Sequence, residues 1–157
     1  MQIRPFKPSD TPHIMQLFYD TVHTINAQDY TPEQINAWAP KTATQEDWAS
    51  KLSPNIAYVV ESEQNGTIIG FGDITSRGHV NHLFVHKDYQ RKGVARLILH
   101  TLIEEAHHLG LHKITAEVSI TAKPFFEKFG FEVVTKQKKV VRGMGFIAYK
   151  MKRILNR

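Results

Sequence analysis

The chain has 157 residues, 41% of them apolar and 22% charged, which predicts a single domain over residues 1–157 with a core of its own. It contains no cysteine, and this excludes disulfides, thiolate metal sites and a cysteine nucleophile and fits a reducing, cytoplasmic setting. The 20 basic and 15 acidic residues give a net charge of +5, which favours an anionic partner, but the basic residues form no stripe of the kind that binds nucleic acid.

The first third of the chain predicts one short strand and three helices. The opening residues lack the apolar core of a signal peptide, and QIRPF at 2–6 has the composition of a strand. Apolar residues at helical spacing predict a helix over 11–26. The sequence TPEQINAW at 31–38 begins with capping-box spacing and a proline at the first helical position, so a short helix is expected there. TQEDWASKL at 44–52 begins in a similar way and predicts the third helix.

The next segment predicts three strands that follow one another as an antiparallel meander. IAYVVES at 56–62 and TIIGFGDIT at 67–75 are joined across Asn65-Gly66, a strong hairpin signal. SRG at 76–78 turns the chain again, and HVNHLFV at 79–85 is the third strand. No apolar run here or elsewhere approaches the ~18 residues of a membrane span, so no membrane partner is expected.

The remainder of the chain predicts an α+β fold. An amphipathic stripe predicts a helix over 93–109, followed by a strand at 112–118 and a short helix at 121–129. Two final strands, at 131–137 and 145–154, complete the chain as a hairpin. The strand–helix–strand unit at 79–118 predicts a right-handed parallel crossover. We therefore expect a mixed central β-sheet, mostly antiparallel with one parallel β-α-β crossover, flanked by helices on both faces.

The loop QRKG at 90–93 has the chemistry of a phosphate-binding turn. A helix that begins after Gly93 leaves its first amides unpaired, and the helix dipole adds partial positive charge at the same end. Both effects favour an anion, above all a phosphate. Gly93 allows a ligand to approach the backbone closely, and Arg91, Lys92 and Arg96 add formal charge. By itself the motif fits equally well a simple turn with solvated cations.

Two motifs in this context resemble the GNAT superfamily of N-acetyltransferases. QRKGVA at 90–95 is similar to the acetyl-CoA loop Q/R-x-x-G-x-G/A, and SITAKPFFEKFGF at 119–131 is similar to the late motif of the family. The order of elements matches along nearly the whole chain. YTPEQINAWAP at 30–40 and GFIAYKMKR at 145–153 further resemble the YafP-like branch. The resemblance implies the GNAT fold and an acetyl group moved from acetyl-CoA to a primary amine by direct transfer in a ternary complex.

The resemblance also implies which residues hold the co-substrate, acetyl-CoA. The third meander strand would run beside the pantetheine arm, and a backbone amide there would polarise the thioester carbonyl. The amides after Gln90 would hold the pyrophosphate, and Ser119, a possible loop cap, could hydrogen-bond the arm. The implied cofactor-binding residues are Leu83, Phe84, Val85, Gln90, Arg91, Lys92, Gly93, Val94, Ala95, Arg96, Ser119 and Phe126.

The acid that protonates the leaving thiolate departs from the family pattern. The family often has a tyrosine where this chain has Phe126, which carries no proton to donate. Tyr149 on the last strand is our candidate for this role, with packing in the sheet as the alternative. The missing hydroxyl keeps open a second reading, a non-catalytic acyl-CoA-binding module of the same fold.

The general base is predicted to be His79, which occupies the position where several family members carry a glutamate. Glu117 is another candidate, and a structural role is the alternative for both. Strand alternation places His79 and Asn81 on one face and His82 on the other. Because His79 and His82 would then diverge, no metal site is predicted.

The acceptor is expected to be a small-molecule or peptide amine. Tyr30, Trp38 and Trp48 could line its pocket, although they could equally fasten the early helices to the core. The exposed final strands would allow a homodimer.

Overall fold

A seven-stranded sheet with helices on both faces organises the protein. The computed structural model describes residues 1–155. The strands are β1 (Gln2–Pro5), β2 (Ile56–Glu61), β3 (Ile68–Ile74), β4 (His79–Val85), β5 (Lys113–Ser119), β6 (Glu132–Val141) and β7 (Met144–Ile154). The helices are α1 (Thr11–Thr24), α2 (Pro32–Trp38), α3 (Gln45–Leu52), α4 (Val94–His108) and α5 (Lys123–Lys128). The predicted fold class is confirmed, and the last hairpin is longer than expected because β6 continues to Val141.

The strand order explains why the sheet has a cleft in its middle. The order is β1-β2-β3-β4-β5-β7-β6, and every neighbouring pair is antiparallel except β4 and β5. That parallel pair is the predicted crossover, with α4 as its connection. The two strands are paired only at His79↔Thr115 and Val80↔Ala116. Beyond these two pairs β4 and β5 diverge, so a gap opens between them toward the end of each strand.

Two apolar clusters cover the two faces of the sheet. On one face α4 packs against the sheet through Ile98 and Leu102, both fully buried. Its close approach depends on β3, because a Cβ at Gly72 would lie 2.6 Å from Ile98 Cγ2. On the other face α1, α2 and α3 form a second cluster around Trp48 and Phe71. The gap between β4 and β5 lies between these two layers.

A β-bulge in β4 changes which side chains share a face. His82 lies opposite Asp73 and Val80 lies opposite Ile74, so Asn81 is an extra residue in β4. Val80 packs into the cluster on the α4 side, whereas His82 contacts the rings of the cluster on the α1–α3 side. His79 precedes Val80 and therefore points to the same face as His82. The predicted divergence of these two histidines is wrong, because simple alternation does not hold across a bulge.

Candidate active site

The gap between β4 and β5 forms a cleft of about 1290 Å³. Its walls come from both diverging strands, from α1, from the start of α4, from α5 and from the first half of β7. Most of the residues predicted to bind cofactor line this cleft: Leu83, Phe84, Val85, Gln90, Arg91, Gly93, Val94, Ala95, Arg96, Ser119 and Phe126. The crossover topology therefore gathers segments that are more than 40 residues apart in the sequence.

The N-terminus of α4 opens into this cleft. Gly93 is the N-cap residue of α4, with φ +85°, and no side chain caps the helix. Arg91 also has a left-handed backbone, at φ +60°, which is uncommon for a residue with a side chain. Successive backbone turns of this kind point several N–H groups toward one place and form an anion-binding concavity. The conformation thus supports the phosphate-binding turn that the loop sequence predicted.

Two loop residues have structural contacts that the sequence did not indicate. Gln90 Nε2 donates to the Val85 carbonyl at 2.8 Å and to the His86 carbonyl at 3.3 Å, so its amide ties the loop to the end of β4. The Lys92 ammonium lies 5.4 Å from the centroid of the Tyr89 ring, and its side chain is not among those that line the cleft. Arg91 and Arg96 contribute the positive charge at this end of the cleft.

The edge of β4 presents backbone groups to the gap. The His86 amide donates to the Ile69 carbonyl, which places the hydrogen-bonded positions of the β3–β4 ladder at His86 and, by alternation, at Phe84. The N–H and C=O groups of Leu83 therefore point away from β3 and toward β5. The next carbonyl on this side, that of Val85, already accepts hydrogen bonds from Thr21 Oγ1 and Gln90 Nε2. Leu83 is thus the position of β4 at which an extended amide-bearing chain could pair.

Ser119 and Phe126 form the opposite wall. Ser119 Oγ accepts a hydrogen bond from the Ala122 amide at 3.1 Å, so it caps the turn into α5 as well as lining the cleft. Phe126 is 4% exposed and packs edge-on against Phe131. A phenyl ring at this place supplies packing but no proton.

His79 lies where β4 and β5 are still paired. Its Nδ1 lies 2.8 Å from Thr115 Oγ1 on β5. Burial lowers the pKa of His79 from its ordinary value of 6.5; the Glu117 carboxylate opposes this shift, and the ammonium groups of Lys139 and Lys150 reinforce it. The ring is therefore neutral near pH 7, which a general base requires. Glu117 is itself paired with Lys139 at 3.0 Å.

A second histidine contact in the cleft was missed in the sequence. His82 Nδ1 lies 2.9 Å from Oδ1 of Asp73, a carboxylate with 0% exposure in the middle of β3. Asn55 Nδ2 donates to the other carboxylate oxygen at 2.9 Å. The available signal was the single carboxylate inside IIGFGDI, because a charge in an otherwise apolar strand needs a partner.

One end of the cleft, where the sequence predicted the acceptor pocket, is aromatic. Tyr30 and Trp38 line it together with Phe84 and Phe146, with ring centroids 5.7–6.2 Å apart. The Tyr30 hydroxyl accepts from the Ile120 amide and donates to the Ile147 carbonyl, so it links the segment before α2 to the residue that follows β5 and to β7. Burial raises the pKa of Tyr30, and the hydroxyl stays protonated.

Two predicted residues lie elsewhere. Trp48 is 3% exposed and packs against Phe18, Phe71 and His82, so it supports the wall of the cleft without lining it. Tyr149 lies outside the cleft lining, with the Lys123 ammonium 5.2 Å from its ring centroid. Neither residue lines the cleft, so the packing role that the sequence left open as the alternative agrees with both positions.

Residues 1–155 hold no group of three or more histidine, aspartate or glutamate side chains placed to bind a metal ion. None of the helices in the same range combines the length and the apolarity needed to cross a bilayer.

Comparisons with known proteins agree with this geometry. Residues 26–153 match the acetyltransferase (GNAT) domain family. The chain is 35% identical over 153 residues to "Uncharacterized N-acetyltransferase YafP" of Escherichia coli (strain K12), with 97% of this chain and 95% of that protein covered. A GCN5-related N-acetyltransferase from Rhodopseudomonas palustris superposes with a TM-score of 0.94 at 25% identity, covering 98% of this chain and 95% of that one.

A further solved structure contains the expected co-substrate. The putative acetyltransferase yncA from Salmonella typhimurium, determined with its cofactor acetyl-CoA, has a TM-score of 0.67 and 22% identity, and the match covers 100% of this chain and 95% of that one. At this identity the likeness concerns the fold. The family match over residues 26–153 and the full-length relative confirm the predicted resemblance: the chain belongs to the GNAT superfamily of acetyltransferases, in a YafP-like branch.

Proposed function

We propose that the protein transfers the acetyl group of acetyl-CoA to a primary amine, directly and within a ternary complex. One observation carries the proposal: the pairing of β4 and β5 stops after two residues, and the resulting cleft runs to the uncapped N-terminus of α4. A long thioester with a diphosphate at one end fits a cleft with that shape and that polarity. Direct transfer follows because the chain has no cysteine to carry an acyl group.

In this proposal, acetyl-CoA is positioned by its charged diphosphate and by its extended pantetheine arm. The diphosphate binds the amides from Arg91 to Ala95, with Arg91 and Arg96 as counter-charges. The pantetheine arm pairs with the free edge of β4 at Leu83, as an added strand would. Ser119 and Phe126 contact the pantetheine arm from the β5 side of the cleft. This arrangement directs the thioester toward the aromatic end of the cleft.

The reaction forms one C–N bond and breaks one C–S bond. A neutral amine attacks the thioester carbonyl, and a backbone N–H on β4 stabilises the oxyanion that forms. A histidine on β4 accepts a proton from the attacking nitrogen, for which the sequence predicts His79. The thiolate of CoA leaves and is protonated by solvent, since Phe126 has no proton and Tyr149 lies outside the cleft.

The domain over residues 1–157 is proposed to act by itself on a small-molecule or peptide amine. Tyr30, Trp38, Phe84 and Phe146 would contact the acceptor, and their rings favour an amine with an apolar or aromatic body.

The test is a screen of amines from several chemical classes, with the free thiol of CoA measured as it is released. We expect release that depends on both acetyl-CoA and an amine, and initial-rate patterns that intersect, as a ternary complex requires. Parallel, ping-pong patterns would contradict direct transfer. Calorimetric binding of acetyl-CoA without thiol release for any amine would support the non-catalytic acyl-CoA-binding module instead.

A further inference from the structure

We infer that His82, rather than His79, is the general base, and that Asp73 and Asn55 are the residues that position it. The inference rests on the proposed acetyl transfer and names the residue that accepts the proton. It depends on the contacts of His82, on its place in the cleft and on the β4 bulge.

The contacts of His82 fix the proton on one ring nitrogen. An ionised carboxylate only accepts hydrogen bonds, so the 2.9 Å contact from Asp73 Oδ1 places the proton on His82 Nδ1. The second oxygen of Asp73 is held by Asn55, which prevents the carboxylate from rotating away. Nε2 then carries the lone pair that a base needs. This is the arrangement in which a buried carboxylate orients an imidazole for proton transfer.

The free nitrogen of His82 is accessible. His82 lines the cleft, and its side chain is 16% exposed whereas Asp73 is fully buried. Nε2 has no hydrogen-bond partner among residues 1–155, and no buried side-chain nitrogen or oxygen in that range lacks one. Nε2 therefore faces open space rather than the packed interior.

The bulge at Asn81 brings His82 to the acceptor side of the sheet. Without the extra residue, His82 would point to the face covered by α4. With it, the ring stands beside Phe84, at 6.4 Å between centroids, and Phe84 belongs to the aromatic end of the cleft. Trp48 and Phe71 hold the ring from the other sides. An amine bound against these aromatic rings is thus next to Nε2 and to the β4 edge.

His79 is less well placed for the same step. It lies where β4 and β5 are still paired, and its Nδ1 contacts a hydroxyl that can either donate or accept, so its tautomer is not fixed. Burial lowers its pKa, which weakens it as a base. His82 instead has a full negative charge 2.9 Å from the ring that receives the proton.

The proton transfer balances without any additional reactant. The amine nitrogen forms the amide bond as the C–S bond breaks, and the nitrogen loses one proton to His82 Nε2. His82 returns that proton to solvent, and the thiolate takes one from solvent. Asp73 neither gains nor loses a proton in this step and only accepts the hydrogen bond from His82 Nδ1.

Several other charged or titratable groups surround this face. They are Asp73 on β3, His79 on β4, Glu117 on β5, Lys139 on β6, Lys150 on β7, Tyr30 before α2, and Lys51 on α3, whose ammonium lies 5.1 Å from the Trp48 ring centroid. Glu117 and Lys139 form an ion pair with each other. Because His79 is a second histidine on this face, its effect on the pH profile must be distinguished from that of His82. The matched variant His79→Asn makes this distinction.

The experiment compares three variants, His82→Asn, Asp73→Asn and the control His79→Asn. Acetyl transfer is measured first with 2-phenylethylamine and then with the alkylamine that the wild type turns over fastest in the screen. The asparagine amide at position 82 can still donate to Asp73, so the fold is preserved. We expect kcat/KM to fall about 100-fold or more for His82→Asn, which is the usual contribution of a general base, and by less than about 10-fold for His79→Asn. Calorimetric affinity for acetyl-CoA should be unchanged in both variants.

Two further readouts separate a base from a structural residue. The acid limb of the pH profile of kcat/KM should be lost in His82→Asn and kept in His79→Asn. Histidine ¹⁵N spectra should show the Nδ1–H tautomer for His82 in the wild type and the Nε2–H tautomer in Asp73→Asn, because the new amide can donate to Nδ1.

The outcomes distinguish this inference from the proposed function. A wild type that acetylates no amine would overturn both. A wild type that is active while His82→Asn keeps its rate within about 3-fold, or a loss confined to His79→Asn, would overturn only the assignment of His82. An Nε2–H tautomer in the wild type would overturn it independently of any activity.

Discussion

The backbone conformation of Gly93 restricts which residues are tolerated at this position. Its backbone is left-handed, and within residues 1–155 an added Cβ would have one heavy atom within 4 Å outside its chain neighbours, Met1 Cε at 3.5 Å. A side chain at this position would be strained by about 1–2 kcal/mol and would lie beside the first amides of α4, where the diphosphate is proposed to bind. These two effects can be separated, because Gly66 has a similar φ of +69° in an open turn.

We expect Gly93→Glu to weaken acetyl-CoA binding by at least about 100-fold, since two charge-assisted hydrogen bonds worth ~1.5 kcal/mol each would be lost. Gly66→Glu, with the same strain and the same charge, should bind normally. Isothermal titration calorimetry measures both variants. Equal affinities of the two variants for acetyl-CoA would show that the diphosphate does not bind at the start of α4.

His79 predicts a dependence of stability on pH. Its folded pKa lies below the unfolded value of 6.5, so the unfolded chain binds the proton more readily. Stability contributed by the neutral ring is therefore complete above about pH 6.5 and is lost as the pH falls below it. Each unit of pKa difference corresponds to about 1.4 kcal/mol.

Between pH 7.5 and pH 5 we expect His79→Gln to lose less stability than the wild type. His100→Gln, at an exposed position on α4, serves as the control and should follow the wild type. Urea unfolding at the two pH values supplies the free energies. A parallel decline in all three proteins would mean that His79 is not the group responsible.

At the scale of elements, the packing of α4 on β3 depends on glycines in the strand. A Cβ at Gly72 would approach Ile98 Cγ2 to 2.6 Å and the His82 carbonyl to 3.0 Å. Neither neighbour can yield, because one is a fully buried side chain and the other is backbone. The position of α4, at whose start the diphosphate is proposed to bind, therefore depends on the absence of a side chain at Gly72.

Gly72→Ala should therefore destabilise the protein by about 1–3 kcal/mol, the usual cost of overpacking a core. The matched variant is Gly145→Ala, in which the close atom is the flexible end of Lys138. That change should cost less than about 0.5 kcal/mol. Thermal or urea unfolding compares them, and a Gly72→Ala protein as stable as Gly145→Ala would contradict the proposed close contact.

At the scale of the whole molecule, the divergence of β4 and β5 leaves a sheet edge in the middle of the protein. Leu83 presents its backbone amide to that edge, although it lies in the fourth of seven strands. A ligand that pairs there completes the sheet, and binding couples the two halves of the molecule. Stabilisation should follow mass action, about 2.7 kcal/mol at 100 times the dissociation constant.

The corresponding measurement is amide hydrogen exchange at single-residue resolution. The Leu83 amide should exchange quickly in the free protein, because it faces the cleft, and slow by at least about 10-fold when acetyl-CoA is bound. A Leu83 amide that is already protected without ligand would show that the edge of β4 is not available for pairing.

Much of the fold was predictable because its signals are local. The capping box at Thr31 is formed as expected, with the Thr31 amide donating a hydrogen bond to Gln34 Oε1. The turn at Asn65-Gly66 and the crossover around α4 follow from residue type and spacing. The candidate anion site could be proposed from the sequence for the same reason, since a helix start and its preceding loop are adjacent in sequence.

The elements, the fold class and the candidate diphosphate loop follow from local sequence, because propensity, capping and the helix dipole act over a few residues. The side chains that meet across the cleft are known only from the folded chain. The bulge at Asn81 reverses the facing of every later residue in β4, and Asp73 meets His82 only through the register of two strands. Such contacts depend on pairing between segments that are distant in the sequence. The local pattern of one segment does not indicate which residue of the other segment it will contact.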